Sequence, residues 1–123
     1  IKNLLLGLKN AYPKSKITAV FQPHRYSRLI PLLKEFSRSF VSSDKVFISN
    51  VYSANERKPV NFNLNKIIKL IGKGSNTVSC YLNSLEDIKE EMKKSKKDEI
   101  YIFLGAGDIT DWPYKILDDL NEN

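Results

Sequence analysis

The sequence has one cysteine and no long hydrophobic segment, and both absences restrict its class. Cys80 is the only cysteine among 123 residues, so no disulfide can form within the chain. It lies in the strand-like stretch "TVSCYL", where we predict buried packing rather than reactivity. No run approaches the ~20 apolar residues that a membrane-spanning helix needs. We therefore expect a cytoplasmic protein with no membrane partner.

The chain carries a formal net charge of +6, which raises the possibility of nucleic-acid binding. Its lysines are nevertheless spread along the sequence, and the dense cluster "KKSKKDE" (93–99) follows a segment rich in acids. Those acids stand at spacings that allow helical ion pairs: Glu86, Asp87, Glu90 and Glu91. A solvated helix face is the favoured interpretation, and the chain shows no recognised nucleic-acid-binding motif. We expect no nucleic-acid partner.

Predicted strands and helices alternate along the whole chain. Apolar, β-branched stretches predict strands at 16–22, 44–52, 76–82 and 98–108. Helical spacing predicts helices at 1–13, from Ser27 or Arg28 to about 43, at 63–74, 84–97 and 109–123. This alternation predicts an α/β fold, Rossmann-like, in which a mostly parallel sheet has helices on both faces. Residues 1–123 are expected to form a single domain.

Several local predictions accompany these elements. Pro31 is compatible only with the start of its helix, whose apolar face would comprise Leu29, Leu32, Leu33, Phe36 and Phe40. The first helix would present Leu4, Leu5, Leu8 and Tyr12 on one face. The glycines of "IGKG" would close the third helix. Ser84 would open the next helix, with Asp87 as a relative of a capping box, and Asp108 would cap the last one.

Three unusual segments follow three of the predicted strands: "QPHRYSR", "NVYSANERKP" and "GAGDIT". In open α/β sheets, ligands bind outside the carboxyl ends of the strands. We therefore expect these segments to converge on one edge of the sheet, where a binding site would form.

The first segment has the side chains of an anion site. Arg25 and Arg28 are three residues apart, so the first turn of a helix would place them at neighbouring positions. Guanidinium groups and free amides at a helix N-terminus suit a carboxylate or a phosphate. A bound anion would offset the unfavourable placement of cations at that end of the helix. The alternative, that both arginines are solvated or pair with acids such as Glu35, remains open, and a lone His24 is more often structural.

The other two segments carry weaker signals. "GAGDIT" fails as a dinucleotide fingerprint because Thr110 replaces the third glycine, but Gly105 and Gly107 would allow a tight turn and a close backbone approach. Glu56 could accept an ammonium or orient a metal-bound water, or it could simply face solvent beside Arg57 and Lys58. We assign no catalytic residue and no metal site. The chain also lacks the glycine-rich phosphate loop that phosphoryl transfer would need.

The motifs "VFQPHRYSR … VFISNVYSANE … FLGAGDI" together resemble the C-terminal domain of the UDP-N-acetylmuramate–L-alanine ligases, a family of Mur ligases in peptidoglycan synthesis. "HRYSR" is the specific part, since the related ligases that recycle a cell-wall tripeptide usually have "PRSNT" there. The resemblance implies a three-domain enzyme whose partners in the same chain, an N-terminal and a central domain, are missing here. The chain begins in a helical pattern without methionine or a capping residue, and we interpret it as a fragment that is inactive alone.

The resemblance also implies a reaction and a set of site residues. ATP and Mg²⁺, bound mainly by the central domain, would serve to activate the carboxylate of UDP-N-acetylmuramate as an acyl phosphate, which the amine of L-alanine attacks. Arg25 and Arg28 would hold the alanine carboxylate. The pocket would be shaped by His24, Tyr26, Tyr52 and Glu56, with Gly105, Gly107 and Asp108 in the strand-end loop.

Two departures from the family pattern leave alternatives open. The family's "VYPAGE" reads "VYSANE" here, with Ser53 and Asn55 at the proline and glycine positions, which leaves the role of Glu56 undecided. The family segment Asp-Tyr-x-His-His-Pro, expected just before Ile1, is absent. The alternatives are a tripeptide-recycling ligase domain, or an anion- or nucleotide-binding α/β module of another family, with a nucleic-acid-binding domain in third place.

Overall fold

A four-stranded parallel sheet with helices on both faces forms the framework of the protein. The computed structural model describes residues 1–95, 98–105 and 107–121. The strands are β1 (Lys16–Gln22), β2 (Lys45–Ser49), β3 (Val78–Leu82) and β4 (Glu99–Gly105). The helices are α1 (Lys2–Ala11), α2 (Tyr26–Leu29), α3 (Leu33–Ser37), α4 (Leu64–Ser75), α5 (Leu85–Lys94) and α6 (Trp112–Asn121), with a 3₁₀ turn at Asp108–Thr110.

The sheet has the strand order β3-β2-β1-β4, and every pairing is parallel. The chain moves outward from β1 through β2 to β3 and then crosses back to place β4 on the other side of β1. The strand order therefore reverses between β1 and β4, where α/β sheets open a crevice for ligands. Gln22 and Gly105 face each other at the carboxyl end of that pair.

Side chains alternate between the two faces of the sheet and bury a separate apolar cluster on each. Ile17, Ala19 and Phe21 of β1 pack on the face covered by α1 and α4. Val20 packs on the opposite face with Ile88 of α5 and Ile116 of α6. This arrangement confirms the predicted α/β fold with helices on both faces. Cys80 is only partly buried, against the second cluster.

The helix predicted after β1 is two short helices, α2 and α3. Pro31 has no N–H to donate to Ser27, four residues earlier, and its ring would crowd that carbonyl. The backbone leaves the helical region at Leu32, with φ −101° and ψ 13°. The predicted apolar face is correspondingly split: Leu29 and Phe40 are buried, whereas Leu32 is 38% exposed.

Helix α4 runs through the glycines that were expected to end it. It ends instead at Ser75, and the C-cap residue Asn76 has a left-handed backbone (φ 50°). Gly72 and Gly74 permit close packing, since a Cβ on Gly74 would lie 2.5 Å from the carbonyl oxygen of Ser37. At the other end, the side chain of Asn63 accepts a hydrogen bond from the Lys66 N–H at 3.2 Å.

Some predicted ends and faces are also wrong. Ser84 is the N-cap of α5, as predicted, but its side chain makes no capping hydrogen bond. Asp108 lies in the 3₁₀ turn, four residues before α6 begins, so it does not cap that helix. In α1, Leu5 is buried but Leu4 and Tyr12 are exposed, so they are not part of one buried face. The helix predicted to reach residue 97 ends at Lys94, because Ser95 has an extended backbone (φ −68°, ψ 141°). Positions 96, 97, 106, 122 and 123 lie outside the described residues.

The predicted strands at 44–52 and 98–108 are longer than the observed ones. β2 ends at Ser49 and is followed by a loop, whereas β4 ends at Gly105 and Asp108, the end of the predicted strand, lies in the 3₁₀ turn. In the described part of the chain, no helix has the length and apolar character needed to cross a bilayer.

Candidate functional site

The loops that follow β1, β2 and β4 meet at the carboxyl edge of the sheet, as expected from the sequence. The loops after β1 and β4 lie where the strand order reverses. The buried side chain of Gln22, at the end of β1, accepts a hydrogen bond from the N–H of Ile109 at 3.4 Å. This contact ties the end of β1 to the turn that follows β4.

Backbone hydrogen bonds join the loop after β1 to the loop after β2. Tyr52 donates its N–H to the carbonyl of Pro23, and Arg25 donates its N–H to the carbonyl of Tyr52, both at 2.8 Å. His24 and Tyr52 form an isolated parallel bridge, and their rings stack with centroids 5.7 Å apart and planes 16° apart. The stacked rings therefore join the two loops at the residue that directly precedes Arg25.

Gly107 brings the loop after β4 against the ring of Tyr52. A Cβ at Gly107 would lie 2.7 Å from the ring of Tyr52, and its φ of 103° also disfavours any side chain. Gly105 has a φ of 142°, and a Cβ there would lie 2.5 Å from the carbonyl oxygen of Gln22. The predicted close backbone approach of the two glycines is therefore confirmed.

Arg25 and Arg28 present two exposed guanidinium groups at this edge. Arg25 is the residue before α2, and Arg28 lies within α2. Across residues 1–95, 98–105 and 107–121, neither side chain makes a hydrogen bond or an ion pair, so the alternative pairing with Glu35 is not observed. Arg25 has φ 62° and ψ 135°, a backbone that costs a non-glycine residue about 1–3 kcal/mol. The structure thus leaves two cations available to an anion.

The carboxylate of Glu56 occupies the N-terminus of α2. One oxygen accepts the N–H of Ser27 at 3.1 Å, and the other accepts the Ser27 hydroxyl. The hydroxyl and then the N–H hold the pKa of Glu56 below its usual range, with a smaller contribution from the charge of Arg25. The expectation that this helix end offers free amides to a ligand is therefore wrong for Ser27, because a carboxylate of the chain itself takes that amide.

A shallow depression of about 460 Å³ lies next to the Glu56 carboxylate. Its walls come from α2 and from the loop after β2: Tyr26, Ser27, Ile30, Pro31, Glu56, Arg57 and Pro59. The ring of Tyr26 packs edge-on against Phe62, with centroids 4.8 Å apart. No local sequence pattern predicts the contact of Phe62 or the role of Ser27, since both depend on contacts between distant segments.

Two lysines of α5 form ion pairs with acidic side chains. Lys93 pairs with Glu90 at 3.3 Å, and Lys89 pairs with Glu86 at 3.4 Å and with Asp119. The exposed pair of Lys93 and Glu90 supports the interpretation of a solvated helix face for that lysine, whereas the side chain of Lys89 is only 18% exposed. Positions 96 and 97 of the cluster lie outside the described residues. In the described stretches of the chain, no three histidine, cysteine or acidic side chains are grouped so that they could hold a metal ion.

Comparisons with known proteins converge on one group of enzymes. No family model matches the chain. Curated relatives named UDP-N-acetylmuramate–L-alanine ligase match it at 38% identity in Fusobacterium nucleatum and at 40% in Brachyspira hyodysenteriae. The first match covers 98% of this chain and 25% of the relative, and the second covers 89% and 24%. The chain therefore spans about a quarter of the length of the curated relatives it matches.

A solved structure supports the fold. The crystal structure of the UDP-N-acetylmuramate-alanine ligase MurC from Thermotoga maritima superposes with a TM-score of 0.70 at 21% identity. The match covers 98% of this chain and 24% of that one. At this level of identity the likeness establishes a shared fold.

Proposed function

Because the chain is homologous to a segment of the UDP-N-acetylmuramate–L-alanine ligases, a family of Mur ligases, we propose that it is their C-terminal, amino-acid-binding domain. Its partners would be the N-terminal and central domains of the same enzyme. The observation that carries the proposal is the pair of exposed guanidinium groups of Arg25 and Arg28, which have no partner among the described residues. They stand at the sheet edge where α/β proteins bind ligands.

We assign the carboxylate of L-alanine to Arg25 and Arg28. A guanidinium group binds a carboxylate through two parallel hydrogen bonds, which fixes the orientation of the amino acid as well as its position. An oriented amino acid presents its amine to the reacting carbonyl, and this ordering can supply a large part of the rate enhancement. The stacked rings of His24 and Tyr52 would form one side of the pocket.

The complete enzyme would use ATP and Mg²⁺, bound mainly by the central domain, to convert the carboxylate of UDP-N-acetylmuramate into an acyl phosphate. Attack by the amine of L-alanine would then give the amide and phosphate, with ADP left from the first step. A cytoplasmic location fits the use of ATP and the single cysteine. The segment alone has no phosphate loop, so we expect it to be inactive without the other domains.

The test measures phosphate release by the complete protein with ATP, Mg²⁺ and UDP-N-acetylmuramate. Three samples contain L-alanine, the tripeptide L-Ala-γ-D-Glu-meso-diaminopimelate, or no acceptor. Release that requires L-alanine supports the proposal. Release that requires the tripeptide would assign the protein to the recycling ligases. Release that depends on neither would leave the arginine pair as an anion site of another α/β family.

A further inference from the structure

Glu56 links two loops that come from different strands. It lies 29 positions after Ser27 in the chain, and both of its carboxylate oxygens accept hydrogen bonds from that one residue. Its own N–H donates to the carbonyl of Ser53 at 3.0 Å, so the loop that carries it is itself closed into a turn. Ser27 lies between the two arginines that we assign to the amino-acid carboxylate.

The backbone on both sides of this link is strained. Arg25 has a φ of 62°, and Ala54 and Asn55 have φ values of 49° and 70°. Non-glycine residues keep such conformations only where the surrounding contacts hold them. Here the holding contacts are the hydrogen bond from the Arg25 N–H to Tyr52 and the two bonds between Ser27 and Glu56.

The carboxylate of Glu56 is near Arg25 but forms no ion pair with it or with Arg28 in the described part of the chain. Both of its oxygens are instead engaged by Ser27. The negative charge therefore offsets part of the local positive charge without covering the guanidinium groups. A carboxylate ligand could still bind the arginines directly.

We propose that Glu56 is a positioning residue, whose carboxylate clamps Ser27 and so holds the Arg25–Arg28 turn in the geometry that receives the carboxylate of the amino acid. This inference rests on the proposed function and deepens it. Glu56 acts through Ser27 and does not touch the substrate.

The experiment uses the complete protein with Glu56→Ala, Glu56→Gln and Ser27→Ala. We expect Glu56→Ala to raise the KM for L-alanine about tenfold, because a charge-assisted hydrogen bond is lost. Glu56→Gln should raise it less, about threefold, because its amide oxygen can still accept the Ser27 N–H. The KM values for ATP and UDP-N-acetylmuramate should stay within about twofold of the wild type, since the clamp acts only on the amino-acid site.

A double mutant tests whether Glu56 acts through Ser27. Residues that act as one unit give non-additive effects. Adding Ser27→Ala to Glu56→Ala should therefore raise the KM for L-alanine no further. Additive losses would show that the two side chains act independently and would contradict the clamp.

Hydrogen exchange supplies a readout that does not depend on activity. Glu56→Gln should speed amide exchange in residues 24–29 and leave α4 (Leu64–Ser75) unchanged, because only the clamped turn is released. Glu90→Gln is the matched control: it removes the same charge from an exposed surface pair with Lys93 and should alter neither exchange nor the KM.

Two results overturn the inference in different ways. An unchanged KM for L-alanine in folded Glu56→Gln and Glu56→Ala would show that the turn does not need the clamp. Wild-type protein without L-alanine-dependent turnover would refute the proposed function, and with it the assigned substrate. In that case, faster amide exchange at residues 24–29 of Glu56→Gln would still establish the bond between Glu56 and Ser27 as a structural contact. Unchanged exchange would refute the structural contact as well.

Discussion

Arg25 combines an exposed cation with a strained backbone. Substitution by glycine changes both properties, whereas substitution by alanine removes only the cation. Glycine adopts a positive φ without steric penalty, whereas alanine keeps the strain. We predict that both Arg25→Gly and Arg25→Ala weaken L-alanine binding, since both remove the guanidinium group. The free energy of unfolding of Arg25→Gly should nevertheless exceed that of Arg25→Ala by about 1 kcal/mol, because the strain is relieved in only one of them.

Urea denaturation of the two variants, followed by circular dichroism, measures this difference, and the KM for L-alanine measures the shared loss. Equal stability of the two variants would show that the positive φ at position 25 is not maintained in solution. Such a result would also weaken the argument that neighbouring contacts hold this turn in place.

At the scale of elements, α4 depends on a glycine that helix propensity disfavours. Gly74 lies against the carbonyl of Ser37, and a Cβ would come within 2.5 Å of that oxygen. We predict that Gly74→Ala destabilises the protein by about 1–3 kcal/mol, the usual range for overpacking. Gly7 of α1 is the matched control, because a Cβ there meets nothing within 4 Å. Gly7→Ala should stabilise the protein by about 0.5–1 kcal/mol.

Thermal or urea unfolding of Gly74→Ala and Gly7→Ala measures the change in the free energy of unfolding. The comparison separates the effect of helix propensity from the effect of packing. If Gly74→Ala also stabilises the protein, then α4 does not pack against α3 as closely as the structure indicates. Stability changes of opposite sign at Gly74 and Gly7 would support the close contact between Gly74 and Ser37.

The sequence predicts those helices and strands that depend on the pattern of neighbouring residues. Strand β1 and helix α4 follow from apolar patterns, and the convergence of "HRYSR" and "VYSANE" follows from parallel topology. The missed features depend on distant contacts. Nothing near Gly74 indicates that Ser37 will lie against it, and nothing near Glu56 indicates Ser27, 29 residues earlier. The sequence identifies Pro31 as restrictive but does not show that the helix breaks into two at this residue.

At the scale of the whole molecule, the two ends of the sheet have different chemistry. The carboxyl edge carries the arginines and the Glu56 clamp. Near the amino edge, Tyr101 donates its hydroxyl to Glu99 at 2.9 Å, and Ser95 hydrogen-bonds to Tyr101. Hydrogen bonding by Ser95 is the main cause that lowers the pKa of Glu99, whereas burial is the main cause that raises the pKa of Tyr101.

These pKa shifts predict how stability depends on pH. A carboxyl group with a lowered pKa, such as Glu99 or Glu56, contributes stability above its unfolded pKa of 4.5 and loses it as the pH falls through the folded value. Tyr101 has a raised pKa, so its contribution is present below its unfolded pKa of 10.0 and is lost as the pH rises further. We therefore expect maximal stability on a plateau between these two limits.

Urea unfolding at a series of pH values measures this profile. Glu99→Gln should reduce the fall in stability on the acid side and leave the alkaline side in place. Tyr101→Phe should reduce the alkaline fall, because it removes the group that titrates there. A wild-type profile that stays flat below pH 4.5 would contradict the hydrogen bonding described for these carboxylates.

The most direct test of the central assignment, an amino-acid carboxylate held by the arginine pair, is the kinetic effect of Arg28→Ala in the complete protein. Arg38→Ala, at the exposed end of α3, serves as the matched control. The assignment predicts that Arg28→Ala raises the KM for L-alanine by about tenfold or more and leaves the KM for ATP nearly unchanged. Equal losses for both substrates, or an effect no larger than that of Arg38→Ala, would contradict it.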